Sequence, residues 1–313
     1  MKCLVTGGAG FIGSNITQHL LDSGNEVICL DNFDPNYAVK KANVDPFLLN
    51  RDFELVEGDI RNKELMQRLV ENIECIFHEA ALVSVVESMR DPVKTAEINT
   101  IGTLNVLNAA LAGDVRKVII ASSAAVYGDS PVLRKKEDAT PDPRSPYAVS
   151  KLDCEYIAKI FHEEYGLETT SLRYFNVYGP RQDPTSQYAA AIPNFIRKAL
   201  KNESIPIYGD GKQTRDFIFV KDVVQANELV VSKGEGKIFN VANGSAISIN
   251  ELAELIIELA DSKSKIIYKE QRKGDIRHSL ADISEIRKVG FKPGISLKEG
   301  LKATIEWFEE HYN

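Results

Sequence analysis

Tyr147 and Lys151 stand four positions apart in PYAVSK, residues 146–151, a spacing that stacks a phenol and an ammonium on one helical face. Alone, such a pair is a common accident and reads as a solvated helix surface. A phenol is a poor base at neutral pH unless nearby positive charge favours its ionised form. The second candidate is TGGAGFIGSN, in which Gly7 precedes Gly8-x-Gly10-x-x-Gly13. It follows the apolar run KCLVT and opens a helical pattern. In that setting glycines let the backbone approach a pyrophosphate, whose charge the helix N-terminus favours. Asp31 ends the next apolar run, about twenty residues further on, where a carboxylate binds the hydroxyls of an adenosine ribose. It would also repel a 2′-phosphate, and Asn32 and Phe33 supply no arginine to receive one. The pattern predicts NAD rather than NADP.

Elements able to position these groups are visible around them. KCLVT, EVICL, FELVE, CIFHEA, KVIIAS and ETTSLRYF alternate with amphipathic stretches over the first 180 residues or so, which predicts a parallel sheet covered on both faces. Helices are expected from about Ser14 to Gly24, from Glu97 to Ala110 and from Tyr147 to Tyr165. The fold class is therefore α/β: a Rossmann-type doubly wound sheet over residues 1–177, followed by a smaller α/β substrate-binding domain over 178–313, with some later segments returning to the sheet. After Tyr178, GPRQDPTSQYAAAIP and YGDGKQTRDF read as ordered binding loops. In SINELAELIIELA, Ser248 and Glu251 form a capping box, and Leu252, Leu255, Ile256 and Leu259 form a core stripe.

The 313 residues carry a formal charge of −7 and a pI near 5.4, which argues against a nucleic-acid partner. Cys3, Cys29, Cys75 and Cys154 have no metal or redox spacing and read as buried thiols of a reducing compartment. The start breaks into glycines too soon for a secretion signal, and no apolar run approaches membrane-spanning length. A cytoplasmic location with no membrane partner is expected. HEAAL at 78–82 and HEEYG at 162–166 open like a zinc motif but end in Leu82 and Gly166, so no metal is expected. His78 is placed in the turn after the fourth strand, with Ala80 and Ala81 small enough to admit the cofactor.

TGGAGFIG, SSAAVYGD at 122–129, PYAVSK and RYFNVYGPRQDP at 173–184 together resemble the extended short-chain dehydrogenase/reductases that modify nucleotide sugars, over essentially the whole chain. The resemblance implies that Tyr147 and Lys151 are catalytic and that Ser123 assists them. It also implies that Phe11, Ile12, Asn32, Asp59, Ile60 and Tyr174 join the glycines, Asp31, Ala80 and Ala81 around NAD. Related dehydratases place an Asp-Glu pair after the serine, and related decarboxylases a glutamate; Ala124 and Ala125 stand here. The expected reaction is then oxidation at carbon 4 of a UDP-sugar and return of the hydride to the opposite face, a 4-epimerisation.

At the substrate end, the resemblance implies contacts from Ser84 to the sugar and from Asn176, Arg215 and Arg272 to the diphosphate, for which guanidinium supplies two charge-assisted bonds. Ala189, Ala190 and Tyr208 are implied at the uracil, Asp275 at the ribose and Ser279 at a gate beside the sugar's 2-substituent. Within this group the sequence is most similar to UDP-N-acetylglucosamine 4-epimerases of surface-polysaccharide biosynthesis. UDP-glucose epimerases usually carry a lysine where Val83 stands. A UDP-glucose epimerase with the same machinery is the alternative, followed by a UDP-uronate epimerase and a silent NAD-sensing regulator. A homodimer through a helical face is the expected assembly.

Overall fold

The computed structural model describes residues 1–34, 39–184, 190–271 and 276–312. In chain order its strands are β1 (Lys2–Thr6), β2 (Glu26–Asp31), β3 (Phe53–Glu57), β4 (Cys75–His78), β5 (Lys117–Ser123), β6 (Arg134–Lys135), β7 (Glu168–Tyr174), β8 (Val177–Tyr178), β9 (Ile205–Tyr208), β10 (Thr214–Arg215), β11 (Ile218–Phe219), β12 (Lys237–Val241), β13 (Ile247–Ser248), β14 (Ile266–Lys269) and β15 (His278–Ala281). Among the described residues, seven of them form a parallel sheet in the order β12-β7-β5-β4-β1-β2-β3. The order reverses between β1 and β4, the crevice where open α/β sheets bind ligands beyond their strand ends. β12, from late in the sequence, pairs with β7 at the sheet edge.

The central strands are apolar at nearly every position because both faces are covered. Cys3, Val5, Val27, Cys29, Phe77 and Ile119 point to one core, packed with Ile16 and Leu20 of the helix Phe11–Asp22 and with Val223 of the helix Val220–Val230. The intervening residues Leu4, Ile28, Leu30, Ile76, Val118 and Ile120 point to the other, with Met66, Val106, Cys154 and Ala158. This alternation is the period of two that a strand dictates. All four cysteines are buried and free, as expected. The doubly wound Rossmann arrangement read from the sequence is the observed one.

A third core gathers Ile192, Ile196, Leu252, Ile256, Leu301 and Ile305. Leu252 and Ile256 are buried within it, Leu255 and Leu259 pack on its flank, and the Ser248–Glu251 capping box is fully formed. Beside it a small sheet in the order β13-β10-β15-β6 sets Arg215 opposite Ser279. Asp216 ties this corner together by accepting the backbone N–H groups of Asn243, Gly244 and Ala281.

Two helices differ from expectation. The first begins at Phe11, directly behind the glycines. The stretch expected from Glu97 begins at Pro92, capped by Asp91, and passes through a π-helical turn at Glu97–Ile101 before continuing as Gly102–Ala112. That turn aims Asn99 inward, where its amide bridges both backbone groups of Leu82 and the Ser150 hydroxyl. A π-turn of this kind marks functional sites often enough to be informative. Here it fixes the segment after β4 against the helix Pro146–Tyr165.

Candidate active site

A cavity of about 640 Å³ opens at the C-terminal ends of β1, β2, β4, β5 and β7. Ser123, Tyr147 and Lys151 all line it. Ser145 caps the helix Pro146–Tyr165, accepting from the Ala148 amide at 3.1 Å, with Pro146 at the first helical position. Both features pin the helix start, so Tyr147 sits in the first turn and Lys151 one turn deeper. The buried Lys151 donates from Nζ to the Ala121 carbonyl at 2.7 Å. Ser123 ends β5 and accepts from the Ala125 amide at 3.1 Å, capping a short 3-10 turn.

Beneath this trio lies a buried ion pair. Glu155, on the same helix as Lys151, takes Arg173 Nε at 2.8 Å and Nη2 at 2.7 Å, and accepts Ser122 Oγ at 2.5 Å. The Arg173 guanidinium also bonds Tyr127 OH at 2.7 Å and lies over its ring. Helix, β5 and β7 are thus clamped beneath Ser123, Tyr147 and Lys151.

The other end of the cavity fits a dinucleotide. Gly7 adopts φ +69, and a Cβ there would lie 2.7 Å from the Ala80 amide nitrogen; a Cβ on Gly13 would lie 2.3 Å from the Gly7 carbonyl. Neither position tolerates a side chain, and that keeps the helix start close to the strand. Gly10 is the N-cap and no side-chain cap covers the first amides, which leaves a cradle for phosphate oxygens. Gly7, Gly10, Phe11, Ile12 and Gly13 line the cavity, as do Asn32, Asp59, Ile60, Ala80, Ala81 and Tyr174. Asp31 is buried and accepts from Ala9 and Phe33 amides. Asp59 is bound by the Arg61 guanidinium, which holds its carboxyl below the usual carboxylate range. These residues fit NAD.

The residues expected to contact the substrate are brought together in part. Ser84, Asn176, Ala190, Arg215 and Ser279 line the same cavity. The Ser84 oxygen also caps the helix Val85–Arg90, and Asn176 donates to the Asp216 carbonyl at 2.8 Å. Tyr208 lies apart, on a small neighbouring pocket with Gly209, Gln213 and Gln271; Ile276 borders both. Ala189, Arg272 and Asp275 fall outside the described residues.

His78 is not in a turn. It is the last residue of β4, enclosed between Thr6 Oγ1 at 2.7 Å and Thr103 Oγ1 at 2.9 Å. Burial, and then the Lys151 charge, push its pKa down to about 3. The strand extends further than expected because a neutral imidazole completes the register Thr6 to His78 without an unpaired group. Three cavity residues gave no sequence signal strong enough to assign them. Lys40 places Nζ 2.7 Å from Asp31 Oδ1. Glu79 accepts from Tyr174 OH at 2.7 Å. Arg181, at φ +73, reaches back to the Ser14 carbonyl at 2.8 Å and lies over Phe47. From the sequence, Arg181 was placed only within the loop GPRQDPTSQYAAAIP.

The glycine turn, Asp31 and the Ser123, Tyr147 and Lys151 side chains line one cavity, and comparisons with known proteins identify the family. The sequence profile of the NAD dependent epimerase/dehydratase family matches residues 3–242. The chain belongs to this family. A UDP-glucose 4-epimerase of Thermotoga maritima, solved with UDP-glucose, superposes with a TM-score of 0.94 at 39% identity, covering 100% of both chains. A UDP-N-acetylglucosamine 4-epimerase of Methanobrevibacter ruminantium M1, solved with UDP-N-acetylmuramic acid, gives 0.93 at 41% identity over 99% of this chain and 98% of that one. A UDP-glucose 4-epimerase of Mycolicibacterium smegmatis is 37% identical over 313 residues, 98% of each chain. Within the family the chain is an isomerase, an NAD-dependent UDP-sugar 4-epimerase.

Proposed function

We propose that this epimerase interconverts UDP-N-acetylglucosamine and UDP-N-acetylgalactosamine, and that UDP-glucose and UDP-galactose also fit. The observation that carries the N-acetyl reading is Ser279, a small residue on the cavity wall opposite Arg215 in the β10–β15 register. An N-acetyl arm needs free volume there in two orientations, because the sugar must present both faces to one cofactor. The 41% identity to the Methanobrevibacter enzyme supports the same reading.

When bound, NAD supplies a hydride acceptor for carbon 4 and gives the hydride back to the other face. The glycine cradle and Asp31 would hold it. Tyr147 takes the proton of the 4-hydroxyl and later returns it, Ser123 orients that hydroxyl, and Lys151 sets an ammonium one helical turn behind the phenol. Arg215 and Asn176 hold the diphosphate while the sugar turns. Residues 1–177 mainly serve the cofactor and 178–313 the UDP-sugar, with β12 returned to the sheet.

Met89, Val93, Ile101, Tyr156 and Ile160 are each between 47 and 66% exposed on adjacent helices. This apolar face supports a homodimer, which sedimentation velocity would show. Four free, buried thiols support residence in the reducing cytoplasm.

The test of the substrate is incubation with the four UDP-sugars, with epimers resolved by chromatography. Conversion of both N-acetyl sugars at rates matching or exceeding the unmodified pair is expected. Turnover of UDP-glucose with none of UDP-N-acetylglucosamine would transfer the chain to the UDP-glucose reading.

A further inference from the structure

Glu79 is a carboxylate on the cavity wall that proton transfer between Tyr147 and the sugar does not use. Its place is set by its neighbours. The Glu79 amide donates to the Thr6 carbonyl at 3.1 Å, beyond the end of β1. Its Oε1 accepts the Tyr174 hydroxyl at 2.7 Å, and that hydroxyl accepts from Asn227 Nδ2 at 2.8 Å. Asn227 is held in turn by donating to the Val223 carbonyl at 2.9 Å. The chain of bonds directs Tyr174 as a donor toward Glu79. Tyr174 is the register partner of Ser123, so the carboxylate belongs to the catalytic end of the cavity. Burial raises its pKa to about 7, opposed by the Tyr174 hydrogen bond and by the charge of Lys151.

The ring that accepts a hydride from carbon 4 must lie beside the phenol that takes the proton from the hydroxyl on that same carbon. The oxidised ring is a cation and the reduced ring is neutral. The Lys151 ammonium, one helical turn from Tyr147, therefore works against the oxidised cofactor at this end of the cavity. An epimerase returns the hydride it takes, so its resting cofactor must be oxidised and its reduced cofactor must be a ready donor.

We propose that Glu79 is the compensating charge of this pocket: held by Tyr174, its carboxylate offsets the Lys151 ammonium and favours the oxidised over the reduced form of the bound cofactor. The arriving cationic ring itself selects the ionised carboxyl, since opposite charge nearby favours the charged form. Return of the hydride is thereby favoured over accumulation of the keto-sugar. This assignment rests on the NAD dependence of the family and is indifferent to which UDP-sugar is turned over.

The experiment measures the affinities of cofactor-stripped full-length protein for NADH, by its fluorescence, and for NAD, by competition. Glu79→Gln keeps the shape and still accepts from Tyr174. It should raise the ratio Kd(NAD)/Kd(NADH) about tenfold, equivalent to roughly 30 mV in the potential of the bound two-electron couple. Glu79→Asp, which keeps the charge, should leave the ratio within about threefold of wild type. An unchanged ratio in Glu79→Gln, or equal losses for both cofactor forms, overturns the proposal. If Glu79→Gln does not fold, Tyr174→Phe removes the hydrogen bond that favours the ionised carboxyl; the ratio should then rise in the same direction, and an unchanged ratio overturns the proposal. Failure of the N-acetyl reading would leave these ratios untouched.

Discussion

The Lys40 ammonium and the Asp31 carboxylate form an ion pair of 2.7 Å at the end of β2, with Asp31 buried and Lys40 only 15% exposed. Asp31 was expected to repel the 2′-phosphate of NADP, with no arginine at Asn32 or Phe33 to receive it. The structure adds a cation from the next helix, and that partly neutralises the repulsion.

Lys40→Met should therefore sharpen cofactor choice. Removing the cation leaves Asp31 its full charge against a 2′-phosphate, so NADP should lose about tenfold more affinity than NAD. Calorimetry of the cofactor-stripped protein with each dinucleotide gives both constants. Equal losses would reduce Lys40 to a packing residue.

Tyr147→Phe removes one oxygen from the cavity wall and little surface. Turnover should fall by about 10³-fold or more while UDP-sugar affinity stays within about threefold, the signature of a lost acid/base rather than a lost contact. Chromatographic rates and calorimetry separate the two. Near-normal turnover would require another base.

The contrast between Asp31 and Lys40 shows where sequence reading succeeds. Strands such as Phe53–Glu57 and the glycine turn follow from local chemistry, a run of apolar residues or a backbone that must pass close, and each lies where expected. Side chains that reach a site from another element leave no such mark. Lys40 comes from the helix after β2, and Glu79 meets Tyr174 across 95 positions. The helix start at Pro92 was missed in favour of Glu97, although Asp91-Pro92, a capping residue followed by proline at the first position, carried its signal. The π-turn within it was not, because Asn99 is drawn inward by Leu82 and Ser150, partners supplied by the tertiary fold.

His78 makes stability depend on acid. Thr103 Oγ1 already donates to the Asn99 carbonyl at 2.6 Å, so His78 Nε2 donates to it and Nδ1 accepts from Thr6. The imidazole is neutral in the fold, with its pKa lowered from 6.5 to about 3. A lowered pKa contributes stability that is present above about 6.5 and is lost as pH falls toward 3, by about 3 kcal/mol at pH 4. Glu79 and Asp216, both raised to about 7 by burial, have the opposite sign: their contribution is full in acid and lost as pH rises through 7. Urea unfolding of His78→Asn should show less stability than wild type at pH 7 and a shallower decline between pH 6.5 and 4. Parallel declines would remove His78 as the titrating group.

The last expectation concerns Ser279. Its backbone is fixed, since its carbonyl accepts the Asp216 amide at 2.8 Å and its strand is paired with β10 and β6. A larger side chain at this position must therefore grow into the cavity, with no freedom to swing away with its strand. Ser279→Tyr would put a ring where an N-acetyl arm is proposed to turn, and overpacking of this kind costs ~1 to 3 kcal/mol. The substitution should lower kcat/KM for UDP-N-acetylglucosamine by roughly ten- to a hundredfold and leave that for UDP-glucose within about threefold. Equal losses on both sugars would mean that the small sheet had been damaged, which thermal unfolding would register. No loss on either would move the gate to another part of the wall, where Val83 and Ser84 are the next residues to test.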